Sequence, residues 1–197
     1  MRRDEFLARL RACAAGSHLP TEAEPPELPA PPEDLSRHFA QAAARVGCRV
    51  VEGGMEELGH ILMREVGESA VLRGGEAQVL ELCQGLQAAP QDEPFLAGWG
   101  VALADGALAR TGSMCFVRRP LSPLTATLVP PRIAVLVPRS RIVWDLADYL
   151  RQPPDGGSLA IVSGPSRSAD IENDLSIGVH GPGEVLVLLL SDEVREA

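Results

Sequence analysis

The sequence predicts an α/β domain, a Rossmann-like mixed sheet with helices on its faces. Three observations predict it. Apolar stripes at helical spacing alternate with short β-branched runs from residue 33 to residue 87; strand-length apolar runs recur toward the C-terminus; and Gly, Ser and Thr gather in loops that follow such runs.

In chain order, residues 4 to 15 read as an amphipathic helix, with Phe6, Leu7, Leu10 and Ala14 on one face and Arg2, Arg3, Arg9 and Arg11 off it. Gly16 and Ser17 end it. From Pro20 to Asp34 six prolines and five acids fall in fifteen residues, which suits an extended linker and neither a helix nor a central strand. The expected division is therefore an arm over 1–34 and one domain over 35–197. Glu33 to Val46 is helical, with Leu35, Phe39, Ala42, Ala43 and Val46 on a stripe. Cys48 to Glu52 is a strand, Met55 to Val66 a helix, Ser69 to Arg73 a strand and Glu76 to Gln87 a helix. This βαβα order predicts parallel strands.

Further on, Asp105-Gly106 between small alternating segments signals a hairpin. Ser113 to Arg118 and Arg132 to Pro138 read as strands, and Ser140 to Gln152 as a helix with Ile142, Val143, Leu146 and Leu150 inward. Leu159 to Ser163 and Glu184 to Ser191 read as buried strands.

Charge and composition exclude several functions. All 18 basic residues are arginine, so no lysine is available for a Schiff base, a phosphate loop or general-base work. A net charge of −9 argues against nucleic acid, whose phosphates demand cations. Hydrophobic residues at 45% and a mean hydropathy of +0.04 describe a globular chain. The apolar run Val185 to Leu190 is far short of the roughly 20 residues a membrane span needs. No export signal is visible at the N-terminus, which makes the cytoplasm the expected compartment. Cys13, Cys48, Cys83 and Cys115 stand singly, without the spacing of zinc or iron–sulfur sites, and suit core thiols. No metal site is expected.

Three loops carry the candidate chemistry, on the rule that open α/β sheets bind ligands beyond the carboxyl ends of their strands. In Ser163-Gly164-Pro165-Ser166-Arg167-Ser168-Ala169-Asp170-Ile171-Glu172 a strand runs into glycine and hydroxyls and then a helical turn. Such a start offers amides to an anion, with Ser166, Arg167 and Ser168 adding donors and charge; a plain turn capped by Ser168 fits the same residues. In Gly178-Val179-His180-Gly181-Pro182-Gly183, His180 between glycines is placed for acid–base work or is simply solvated. In Ala109-Arg110-Thr111-Gly112-Ser113, small residues and hydroxyls let a ligand approach the backbone.

Taken together these segments resemble the LUD domain, and more narrowly the lactate utilisation protein C family. The motifs that carry the resemblance are Thr111-Gly112-Ser113, the block from Gly164-Pro165-Ser166 through Asp170 and Glu172, and His180-Gly181-Pro182 before a terminal apolar strand. The resemblance covers most of residues 35 to 197. It implies the fold shared by ribose-5-phosphate isomerase, glucosamine-6-phosphate deaminase and CoA transferases. It further implies a part in bacterial oxidation of L-lactate to pyruvate beside iron–sulfur partner proteins, with no cluster in this chain itself and its cofactor unknown. Relatives commonly carry an acid where this chain has Arg110, which here would bind a carboxylate or face solvent.

The expected catalytic residues are His180, Asp170 and Glu172. The expected ligand-binding residues are Thr111, Gly112, Ser113, Gly164, Ser166, Arg167, Ser168 and Gly181, around a small carboxylate or phosphate-bearing ligand. Two other functions fit: a non-catalytic assembly subunit, working through its arm, or a transferase or ligase for a phosphorylated small molecule.

Overall fold

The computed structural model describes residues 4–9, 29–118, 124–151, 158–169, 175–177 and 181–191. The chain forms two compact units, Met1–Ala30 and Pro31–Ala197. In the first, residues 4–9 are helical. The remainder of the expected 4–15 helix and most of the Pro-rich linker lie outside the described residues.

The second unit opens with α1 (Leu35–Arg45), β1 (Arg49–Gly53), α2 (Met55–Val66), β2 (Val71–Arg73), α3 (Ala77–Leu82) and β3 (Trp99–Leu103). Then come β4 (Gly106–Leu108), β5 (Ser113–Val117), α4 (Thr125–Leu128), β6 (Arg132–Pro138), β7 (Ile142–Val143) and α5 (Leu146–Leu150). The last strands are β8 (Leu159–Val162), β9 (Arg167–Ala169), β10 (Leu175–Ile177) and β11 (Glu184–Leu190). α1 starts where predicted because Asp34 caps it, its carboxylate accepting from the Arg37 amide at 2.9 Å.

Five strands form an all-parallel sheet in the order β1-β11-β6-β3-β2. Its two faces separate residue by residue. Ile133, Val135 and Val137 of β6 and Val185, Val187 and Leu189 of β11 join one core with Phe39 and Ala43 of α1. Ala134, Leu136, Leu186 and Leu188 turn the other way, onto Leu58, Leu62 and Val66 of α2 and Val79 and Leu82 of α3. Burial on both faces is why these strands read as unbroken apolar runs rather than alternating ones. The β2 edge is covered, since the Val71 amide donates to Gln87 O and the Ala89 amide to Val71 O, each at 2.8 Å. At Gly100 an added Cβ would collide with the Ala126 carbonyl, so α4 rests directly on β3 backbone.

A second sheet, β7-β4-β5-β8, contributes Ala107, Met114, Phe116, Ile142 and Val162 to the α1-side core. Here the structure corrects several expectations. Asp105-Gly106 makes no hairpin; it marks the place where the chain leaves the parallel sheet for the second one. The Asp105 carboxylate accepts from the Val117 amide at 2.7 Å, which fixes that departure. The hairpin lies one step later, between β4 and β5. The expected helix from Ser140 to Gln152 is interrupted by β7, which pairs with β4. Arg139–Arg141 is a 3-10 turn and only Leu146–Leu150 is α-helical, started by Asp145, with Leu146 and Leu150 exposed rather than inward. Tertiary pairing overrides the helical spacing there. β8 is an edge strand and not a buried one, with Leu159 and Ile161 exposed. α3 stops at Leu82, short of the expected Gln87, ahead of Gly85 at φ 81.

Among the described residues no helix is long and apolar enough to cross a membrane.

Candidate functional site

The loops singled out in the sequence do meet, and what they meet around is the carboxyl end of α1. The first is the β4–β5 turn. Gly112 has φ 68 and its amide donates to Leu108 O at 2.9 Å, which closes the turn. A Cβ on Gly112 would stand 2.2 Å from the Ala43 nitrogen. The space that glycine opens is therefore filled by the α1 backbone. Gly164 repeats the arrangement at φ 84, its absent Cβ directed at Val46 O at 2.4 Å. Alanines at 42 and 43 present the narrow helix surface that the Gly112 turn requires, while the Gly164 turn rests on Val46.

This double contact brings hydroxyls into line. Thr111 Oγ1 lies 2.7 Å from Ser113 Oγ, and Ser113 Oγ lies 2.7 Å from Ser163 Oγ. Ser113 is buried, while Thr111 and Ser163 are exposed, so the chain of hydroxyls runs from solvent through a buried link and back. Each hydroxyl donates one hydrogen bond and can accept two, which lets such a row relay or polarise.

Arg167 completes the cluster. Its Nη2 donates to Val46 O at 3.2 Å, satisfying one carbonyl at the electronegative end of α1. The guanidinium is exposed, and four of roughly five donors on an arginine remain for other partners after one such bond. Cys48 is buried next to it. Burial pushes this thiol up to about 11, with Arg167 pulling the other way. The third segment joins through the backbone, the Ser166 amide donating to Pro182 O at 2.8 Å, with Gly181 against the Ser166 side chain.

Two site expectations change. No helix begins after Ser166. Arg167–Ala169 is strand β9, paired antiparallel with β10, so the backbone at Ser168 is in a sheet rather than at a helix start. Nor does the cluster sit beyond the carboxyl ends of the parallel strands. Gly183 leads into β11 and its amide donates to Pro131 O just before β6, which places this segment at the amino ends. The Ser163 loop follows β8 of the second sheet, and that membership was not readable from local pattern.

Of the predicted site residues, Thr111, Gly112, Ser113, Gly164, Ser166, Arg167 and Gly181 are brought together. Ser168 is placed by its backbone in β9. His180, Asp170 and Glu172 lie outside the described residues. Arg110 is exposed and lies beside Asp145: its Nε is 4.0 Å from Asp145 Oδ2, and its amide donates to Trp144 O. Asp145 is the buried cap of α5, so Arg110 offsets a buried carboxylate. Ala42 and Ala43 of α1, with Val46 and Gly47 just beyond it, were missed as site-builders; the small-residue run closing in Gly47 was the available signal. Among the described residues no group of three or more His, Cys, Asp or Glu is placed to hold a metal ion.

Residues 32–190 match the LUD domain family. Lactate utilization protein C of Bacillus subtilis (strain 168) is 33% identical over 101 residues, 47% of this chain and 42% of that protein. Lactate utilization protein C of Bacillus pumilus (strain SAFR-032) is 27% identical over 192 residues, 82% of this chain and 80% of that protein. The chain spans between 42% and 44% of the length of five proteins of that name, the Bacillus subtilis one included. A crystal structure of a DUF162 family protein from Deinococcus radiodurans superposes with a TM-score of 0.62 at 16% identity, covering 83% of this chain and 100% of that one. At that identity the likeness concerns the fold. The α1-anchored loops fall within the matched span, and the chain belongs to the LUD domain family.

Proposed function

We propose that this chain works in bacterial lactate utilisation, as a subunit of a system that oxidises L-lactate to pyruvate with iron–sulfur partner proteins. It binds a small carboxylate or phosphate-bearing anion where its three loops meet the end of α1. The observation that carries this reading is the similarity to proteins named Lactate utilization protein C, over 47% of the chain in one and 82% in another.

The anion part draws support from Arg167. The end of α1 is itself electronegative, so an anion there depends on the guanidinium and the neighbouring hydroxyls, not on helix amides. In this reading His180 takes the proton of the lactate hydroxyl, with Asp170 or Glu172 orienting its ring. Two electrons leave with the oxidation. They leave with the Cα hydrogen as a hydride, to a two-electron hydride acceptor held by the partner proteins, whose iron–sulfur centres carry the electrons on one at a time. Those centres are assigned to the partners because the described cysteines of this chain are dispersed and buried.

The test is L-lactate oxidation by the natively purified system with this chain, without it, and with His180→Gln or Arg167→Gln in its place. Lactate-dependent reduction should fall on omission, return with the unaltered chain, and return poorly with either variant. Unchanged activity on omission removes the chain from the reaction. Full recovery with both variants leaves it an assembly subunit. Thermal stabilisation by a sugar phosphate or coenzyme A, with none by lactate or pyruvate, would point instead to a transferase or ligase.

A further inference from the structure

The outer surface of α2 and α3 carries a feature that the anion site does not use. The two helices enclose a cavity of about 250 Å3 with Met55, Gly59 and Met63 of α2 and Leu82 of α3 in its wall, and Glu56 and Glu81 on its rims. A second, more open concavity of about 530 Å3 lies across the Glu56–His60 row, against Gly54, Glu57, Ile61 and Arg64. The first is a trough between α2 and α3.

Gly59 is the informative residue. A glycine inside a helix lowers stability relative to alanine, because the unfolded chain has more freedom to lose. Such a glycine often persists because a neighbour leaves no room for a Cβ. At Gly59 the nearest atom to an added Cβ is Leu82 O at 3.8 Å, an ordinary contact. The α2–α3 packing would accept alanine. What the missing side chain does is deepen the trough and bare the α2 backbone to whatever lies in it.

The surroundings specify the chemistry of that occupant. Met63 is 45% exposed, apolar surface left in water at the trough. Thioethers such as Met55 and Met63 adapt their shape to an incoming side chain. The charge is one-sided: Glu56 lines the trough from α2 and Glu81 from α3, with no arginine among the described residues of its wall. From Gly74 to Ala109 the chain carries five acids and no basic residue. An apolar floor of Met55 and Met63 with a carboxylate from each flanking helix suits an amphipathic helix with a cationic face.

We infer that this trough docks a cationic amphipathic helix of a partner protein. Its apolar face rests on Met55 and Met63, its backbone comes closest at Gly59, and its arginines or lysines meet Glu56 and Glu81.

The probe is a synthetic amphipathic peptide with a leucine face and an arginine face, followed by fluorescence anisotropy on the full chain. A second peptide has glutamate in place of arginine. The arginine peptide should bind roughly tenfold or more tightly than the glutamate one, and added salt should weaken it. Gly59→Leu, and separately Glu56→Lys combined with Glu81→Lys, should each weaken binding roughly tenfold. Their melting temperatures should stay close to that of the unaltered chain. Phe95→Ser, on a separate exposed turn, should leave binding as it was. Equal binding of the two peptides overturns the inference. So does undiminished binding by the charge-reversed variant, which tests the site even if Gly59→Leu fails to fold.

Discussion

Gly112→Ala tests whether the candidate site is built by contact with α1. Two costs are expected. The first is conformational: φ 68 is left-handed, and an L side chain there costs about 1–2 kcal/mol. The second is steric. The new Cβ would lie 2.2 Å from Ala43 N, 2.4 Å from Ala42 C and 2.5 Å from Ala43 Cα, all backbone, so α1 must retreat to reach an ordinary contact. Overpacking of this kind costs about 1–3 kcal/mol, for a total of roughly 2–5 kcal/mol. Gly85→Ala is the control. Gly85 has φ 81, but its Cβ would meet only the flexible tip of Met63 at 3.5 Å. The gain from a stiffer unfolded chain is common to both variants and cancels in the comparison. Urea unfolding should place the Gly112→Ala midpoint about 0.5–1.5 M below that of Gly85→Ala, at a slope near 2 kcal/mol/M. Trp144 supplies a local readout, because its ring sits 5.1 Å from that of His38 on α1; its emission should shift in folded Gly112→Ala and not in Gly85→Ala. Equal midpoints for the two variants would refute the helix-contact account of the turn.

Other outcomes follow from the same geometry. Gly59→Ala should stabilise the chain by about 0.5–1 kcal/mol, read as a raised melting temperature; a loss would mean that α2–α3 packing needs the glycine. Asp105→Ala should cost about 1–3 kcal/mol, because the buried Val117 amide loses its acceptor, and Asp105→Asn, which keeps one, should recover most of it in a denaturation series. Burial raises Cys48, Cys83 and Cys115 from 9.0 to about 11, so the folded chain holds these thiols neutral. The unfolded chain loses those protons first. Stability should therefore be complete below pH 9 and decline as pH rises from 9 toward 11, with replacement of Cys83 by serine or alanine flattening that decline. Glu65→Gln should change stability by less than about 1 kcal/mol despite the 2.7 Å pair with Arg49, since both ends are solvated.

Local sequence determined the parts of this protein whose physics is local. Asp34 stops and starts chain conformation through one carboxylate, so α1 was legible to within a residue or two, and Met55–Val66 was legible outright from its apolar stripe. Arg132–Pro138 and Glu184–Leu190 were legible because burial on both faces leaves an unbroken apolar run. The candidate loops were legible as well, since glycine and hydroxyls signal special backbone wherever they fall. What tertiary structure decided was the partner of each segment. Leu159–Val162 is as apolar as a central strand, and only its pairing with β5 alone makes it an edge. Arg167–Ala169 has the residues of a helix start and becomes a strand because β10 returns to pair with it. Gly112 and Gly164 promised room for a ligand, and α1, some 70 and 120 residues earlier in the chain, takes that room. A pattern records what a segment can tolerate on its own; which neighbour fills the space is set by contacts between residues far apart in sequence.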